Sequence, residues 1–384
     1  MAQLSSGRLI LAAIMAIFVY GVIAAMLGTL MPTFKLTPEE NGTIALAQAI
    51  GLVIASISAG PLIDNKGKKV ALVIGLGLVA VALFLLPNAG GYGQIMLFMF
   101  IQGLGGGIIV TAANALVSDI NEARRASTLN FLNLFFGLGG MATPLVSANL
   151  LNNDARMLCY LSAIFAAVTF LVHITTGMPA PSGERGFKAS EAGSLLSRPV
   201  LYLLAAFMFL YVAAEVGVWN WLASFLEAQG ISTSAAKNIV GWGFAFGLLV
   251  GRVVVSRILI KVAAPTVTLF AAALMAVTTY VMLNTSSEMV AGIAVFCAGL
   301  AMAPVFPTTL AMVGDAFPKA TATAMGIVIT SGWLGLAASS PLIGKLGGQD
   351  PARLKTALLV LPAFSAAMVL VNLALRPMIR RAKA

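Results

Sequence analysis

The chain of 384 residues is 60% hydrophobic and 9% charged, and its 23 basic and 13 acidic residues leave a formal net charge of +10. Soluble domains carry about 25% charged residues, so this composition excludes a water-soluble globular domain and makes lipid the solvent. The basic excess does not indicate nucleic-acid binding, because no soluble basic domain is available to carry it.

Roughly 20 apolar residues cross a bilayer. Twelve such segments follow one another, near 9–31, 42–62, 70–87, 94–117, 126–150, 157–177, 200–226, 236–256, 266–284, 289–313, 321–344 and 356–375, numbered helices 1 to 12. A transmembrane β-barrel would show short alternating segments instead. The expected class is therefore an all-α membrane protein with twelve transmembrane helices in two six-helix pseudo-symmetric halves. The first segment is too long for a cleavable leader and has no small-residue cleavage site before a polar mature region. With the N-terminus placed in the cytoplasm, seventeen Lys and Arg fall inside and six outside. That bias puts both termini in the cytoplasm of a bacterial inner (plasma) membrane protein.

The most informative connection joins helices 2 and 3: Gly60, Pro61, Leu62, Ile63, Asp64, Asn65, Lys66, Gly67, Lys68, Lys69. An acid, two glycines and a basic cluster cannot lie in lipid and must form a tight turn at the water surface. The pattern resembles the helix 2–3 loop signature of the major facilitator superfamily, G-x-L-x-D-x-x-G-[RK]-[RK]. The resemblance implies a transporter working by alternating access, with no cofactor, no metal and no enzyme activity. The residues agree, since no metal-ligand spacing, phosphate loop or nucleophile elbow occurs, and Gly103, Gly105, Gly106 and Gly107 lie mid-membrane as packing glycines. Cys159 and Cys297 sit inside apolar segments and read as small core residues.

Helix 4 ends at Asp119, followed by Arg124 and Arg125, and a Gly-rich helix 5 closes on Thr143-Pro144. In the second half, helix 10 ends at Asp315, followed by Lys319, and a Gly-rich helix 11 closes on Ser340-Pro341. The two Asp lie 196 residues apart and the two Pro 197 apart. This order argues for an internal repeat, with domains at 1–178 and 199–384 joined by a cytoplasmic linker at 179–198. Parallel repeats of this kind place a substrate site near the midplane. Asp64, Lys68, Lys69, Asp119, Arg124 and Asp315 are the expected cytoplasmic gate, with Asp64 accepting hydrogen bonds at the N-terminus of helix 11 near Thr321 and Thr323. Gly251, Arg252, Arg257 and Lys261 echo the opening loop after helix 8, with the bases and without the acid.

An ionisable residue away from a helix end in lipid is a functional candidate by default. Glu215, near the centre of helix 7, is the one acid so placed. A charged carboxylate is costly there, so Glu215 could carry a proton, accept hydrogen bonds from sugar hydroxyls, or simply bond to a neighbouring helix. Gln102, Asn114, Asn130, Asn133 and Asn220 are polar at similar depth; singly such amides are helix glue, and as a set they suggest a shared wet cavity. Tyr211, Trp219 and Trp333 complete the expected substrate site, the tryptophans as platforms for a sugar ring or as packing. His173, near the cytoplasmic end of helix 6, reads as structural or solvated.

Several short stretches resemble the fucose and glucose/galactose permease branch of the superfamily: Tyr211–Val216, Thr111–Ala115, Asn130 to Pro144, Phe306-Pro307-Thr308 and Phe18 to Pro32. That resemblance implies a sugar:proton symporter, with a small-molecule substrate, protons and lipid as partners and a monomeric state. The branch's acids in helices 1 and 4 are replaced here by Gly28 and Val110, which leaves Glu215 as the remaining proton carrier. The runner-up is proton-coupled efflux of amphipathic compounds, suggested by 18 Met and 21 Phe. Asp64→Asn is expected to loosen the cytoplasmic gate and raise labelling of cysteine probes on that side; unchanged labelling would contradict the assignment.

Overall fold

The computed structural model describes residues 6–120, 125–178, 196–259, 261–285, 288–317, 321–348 and 350–383. Among them are twelve helices long and apolar enough to cross a membrane. They are α1 Gly7–Phe34, α2 Pro38–Ile63, α3 Asn65–Asn88, α4 Tyr92–Val117, α5 Phe131–Asn149, α6 Ala155–Thr175, α7 Pro199–Ala228, α8 Thr233–Val255, α9 Ala264–Asn284, α10 Met289–Ala316, α11 Ala324–Gly347 and α12 Leu354–Ile379. No strand occurs among the described residues. With no water in the hydrocarbon to bond a free N–H or C=O, the helix satisfies the backbone within each segment.

Helix ends are written in the sequence. α2 opens on Thr37-Pro38-Glu39-Glu40, a capping box: the Thr37 amide and hydroxyl both donate to Glu40 Oε2 at 2.9 Å, and the Glu40 amide donates to Thr37 Oγ1 at 3.2 Å. Asp154 caps α6 by accepting from the Arg156 and Met157 amides at 2.8 and 3.1 Å. At the start of α3 the helical backbone is interrupted at Gly67, with φ 86° and ψ 161°. A side chain is strained at such a φ, so the second glycine of the loop motif is a backbone requirement.

The chain divides into two compact units, Met1–Phe34 with Thr43–Gly186, and Lys35–Gly42 with Phe187–Ala384. The Lys35–Gly42 segment joins the second through the Glu39 amide, which donates to the Gly348 carbonyl at 3.2 Å. Lipid supplies no hydrophobic drive between helices, so close van der Waals packing over small residues must hold them. In the first unit, a Cβ on Gly51 would overlap the Phe100 carbonyl and one on Gly103 the Gln48 carbonyl, and one on Gly107 would lie 2.6 Å from Ala55 Cβ. In the second, a Cβ on Gly247 would overlap the Phe296 carbonyl and one on Gly299 the Phe244 carbonyl, and one on Gly251 would lie 2.6 Å from Ala303 Cβ.

Each position in the second set lies 196 residues after its counterpart in the first, so α2 on α4 and α8 on α10 are one packing motif used twice. The same holds for α1 on α5 and α7 on α11. Gly139 meets the Phe18 carbonyl and Gly335 the Phe209 carbonyl, with an offset of 196 residues in α5/α11 and 191 in α1/α7.

Gly21→Val is expected to force α1 from α5, because the Phe136 carbonyl occupies the space a Cβ would take. Overpacking of this kind costs about 1–3 kcal/mol or more, read as a lower melting temperature in detergent. Gly292→Ala, where nothing lies within 4 Å, should be neutral; equal effects of the two would contradict this packing account.

Candidate functional site

The spacing of Tyr211, Glu215 and Trp219 at i, i+4 and i+8 puts all three on one face of α7. Each is buried, at 1%, 9% and 4% exposure. The Tyr211 hydroxyl is a hydrogen-bond partner of the Glu215 carboxyl. The Trp219 indole lies near that carboxyl too, but its Nε1 forms no hydrogen bond of proper geometry among the described residues. Its ring meets Phe244 of α8 edge to face, with centroids 5.0 Å apart and planes at 78°. Trp219 thus packs on a neighbouring helix, with its indole N–H left over.

That ring contact joins α7 to α8, and Arg252 lies eight residues beyond Phe244 along α8. Arg252 is half-buried, and its positive charge reaches both Glu215 and Tyr211. The loop echo after helix 8 is corrected here: Arg252 belongs to the span Thr233–Val255. A signal was available, since the predicted segment 236–256 already enclosed Arg252; its nearness to the segment end made it read as a loop residue.

Lys237 lies in the first turns of α8 at 1% exposure, within electrostatic reach of Glu227 at the end of α7. Asn220 donates to Ser340 Oγ at 3.2 Å and so ties α7 to α11. On α11 the Trp333 Nε1 is buried without a partner among the described residues, as is Thr308 Oγ1 on α10.

In the first unit the expected polar residues are mainly occupied with helix contacts. Gln48 Nε2 donates to Gln102 Oε1 at 2.8 Å, joining α2 to α4. Asn114 Nδ2 donates to the Val110 carbonyl at 2.7 Å and Thr111 Oγ1 to the Gly107 carbonyl at 2.8 Å, both along their own helix. Asn133 is half-buried and partnered. His173 is fully buried with Nδ1 2.7 Å from the Thr169 carbonyl oxygen.

Of the expected gate, Lys69 Nζ donates to the Ile174 carbonyl at 2.7 Å, placing a cation at the C-terminus of α6. Lys68 is half-buried and partnered, while Asp315 is exposed and partnered. Arg124 and the side chains of Asp64, Asp119, Asn130, Thr321 and Thr323 lie outside the described residues. No group of three His, Cys, Asp or Glu that could hold a metal ion occurs among the described residues.

Comparisons with known proteins agree on the class. The family model described as Major Facilitator Superfamily matches residues 9–380. Bypass of stop codon protein 6 of Saccharomyces cerevisiae is 23% identical over 381 residues, covering 87% of this chain and 76% of that protein. Quinolone resistance protein NorA of Staphylococcus aureus is 25% identical over 236 residues, covering 60% of each chain, so the match spans about three fifths of that relative's length.

Among solved structures, the nucleoside transporter NupG superposes with a TM-score of 0.78 at 14% identity, over 96% of this chain and 98% of that one. The E. coli fucose:proton symporter FucP superposes with a TM-score of 0.68 at 18% identity, over 95% and 98%. At these identities the structures speak for the fold alone. With a family model spanning nearly the whole chain, the protein belongs to the Major Facilitator Superfamily and is a membrane transporter, not an enzyme.

Proposed function

We propose that the protein is a secondary active transporter that moves a small polar solute, a sugar as the first expectation, by alternating access, with Glu215 carrying a coupling proton. The observation that carries this reading is a carboxyl buried at the centre of α7, bonded to Tyr211 and within electrostatic reach of Arg252 in the α8 span. An ionisable group is expensive at that depth and is kept where it works. Structural neighbours named as a nucleoside transporter and a fucose:proton symporter support a hydroxyl-bearing solute.

The proposed domains are residues 1–178 and 199–384 with 179–198 as a cytoplasmic linker. The proposed setting is a bacterial inner membrane with both termini inside, supported by the seventeen-to-six bias of basic residues. A monomer binding its solute through Glu215, Tyr211, Trp219, Asn220 and Trp333, with Gln102, Asn114, Asn130 and Asn133 contributing from the first half, completes the proposal. A second reading, efflux of amphipathic compounds by proton antiport, is supported by the relative named for quinolone resistance. A drug-resistance screen in a sensitised host separates the two, because a sugar carrier confers no resistance.

Glu215→Gln is expected to abolish or uncouple transport while the protein still folds. Uptake into proteoliposomes with and without an imposed pH gradient checks this, and coupled transport equal to wild type would contradict it. Tyr211→Phe removes one hydrogen bond from the carboxyl, worth about 1.5–3 kcal/mol for a charged partner. Initial uptake rates should fall about tenfold or more in a variant that still folds, with a modestly lowered melting temperature; wild-type rates would show that the hydroxyl has no part in transport.

A further inference from the structure

We infer that Arg252 is the specificity-determining residue of this site and that the transported solute carries a carboxylate, as a sugar acid or other hydroxy acid does. The inference rests on the reading of Glu215 as the proton carrier and narrows its solute from neutral sugar to organic anion.

The first ground is placement. Trp219 against Phe244 joins α7 to α8, and Arg252 stands half-buried inside the α8 span, with its charge reaching both Tyr211 and Glu215 of α7. Among the described residues, Tyr211 and Arg252 are the titratable or charged groups that act on Glu215.

The second ground is the internal repeat. The offset of 196 residues maps Arg252 onto Ser56, and the offset of 191 maps Tyr211 onto Tyr20 and Glu215 onto Ala24. The first half keeps the tyrosine and the packing frame and lacks both charges. A pair that the frame does not need, and that lipid penalises, is an addition specific to the second half.

The third ground is charge balance. With Glu215 ionised, the pair is neutral. One proton from water on Glu215 leaves the site at +1, and a solute carboxylate on Arg252 returns it to zero. The empty carrier and the carrier loaded with both proton and anion are each neutral. The two half-loaded forms bear an uncompensated buried charge, which is strongly disfavoured in a low-dielectric site. Coupling of one proton to one anion follows from that alone. A neutral sugar would leave the proton-loaded carrier charged. Arginine suits the task because its planar fork bonds a carboxylate through two parallel hydrogen bonds.

The test uses the full chain in proteoliposomes with a trapped pH dye, presented with gluconate, galacturonate or lactate and with their neutral counterparts glucose, galactose and propane-1,2-diol. The expected result is proton entry driven by at least one acid and by none of the neutral compounds. Arg252→Gln should cut that flux about thirtyfold or more, the scale for losing one partner of a buried charge pair. Arg252→Lys, which keeps the charge without the fork, should retain part of it. Glu215→Gln should keep anion counterflow and lose proton movement, and the melting temperature of each variant verifies folding. Proton entry driven by a neutral sugar and unchanged in Arg252→Gln would overturn the inference and leave the sugar reading standing. Failure of every compound to move protons in wild type would overturn both.

Discussion

Lipid neither donates nor accepts hydrogen bonds and does not solvate charge, and the rest of the structure depends on that. The backbone answers by closing every bond inside a helix, which turns 60% hydrophobic residues into twelve spans among the described residues. Helix association answers through small residues, because lipid provides no hydrophobic drive; hence carbonyls of one helix rest on glycines of the next at Gly51, Gly103, Gly247 and Gly299. Charges answer by moving to the ends or finding partners. Lys69 settles on the carbonyl end of α6, Lys237 lies within reach of the Glu227 charge, and Glu215 bonds to Tyr211 within reach of the Arg252 charge.

The repeated packing motif separates frame from function. α2 on α4 and α8 on α10 share their glycine contacts at a constant offset, so both halves solve the packing problem in the same way. Deviations from that frame then carry information that packing does not explain. Glu215 and Arg252 are such deviations, standing where the first half has Ala24 and Ser56. At the level of Gln48 and its counterpart Phe244, the first half has an amide pair with Gln102, and the second has an aromatic contact with Trp219. The proposed division of labour is a first half supplying polar glue and shape, and a second half supplying charge.

Much of the fold was legible because the relevant signals are local. Hydropathy over about 20 residues sets the spans, the Thr-Pro-Glu-Glu run sets a capping box, and Gly67 marks a turn that no side chain tolerates well. Glu215 was legible as well, since an acid in the middle of an apolar run is conspicuous by itself. What escaped was contact-dependent. Arg252 lies close enough to the end of its span to read as a loop cation, and its action on Glu215 depends on how two helices pack. The Gln48–Gln102 pair joins residues 54 apart in sequence. An amide's partner cannot be read from its own helix, so Asn114 and Asn220 looked alike, although one bonds within its own helix and the other bonds across to α11.

The central claim is that Glu215 exchanges a proton as the solute binds. Infrared difference spectroscopy of the reconstituted protein reads this directly, because a protonated carboxyl absorbs apart from an ionised one. Solute binding in wild type should produce a protonated-carboxyl band that shifts in heavy water and disappears in Glu215→Gln. A solute-induced spectrum with no such band, or with the same band in Glu215→Gln, would contradict the account.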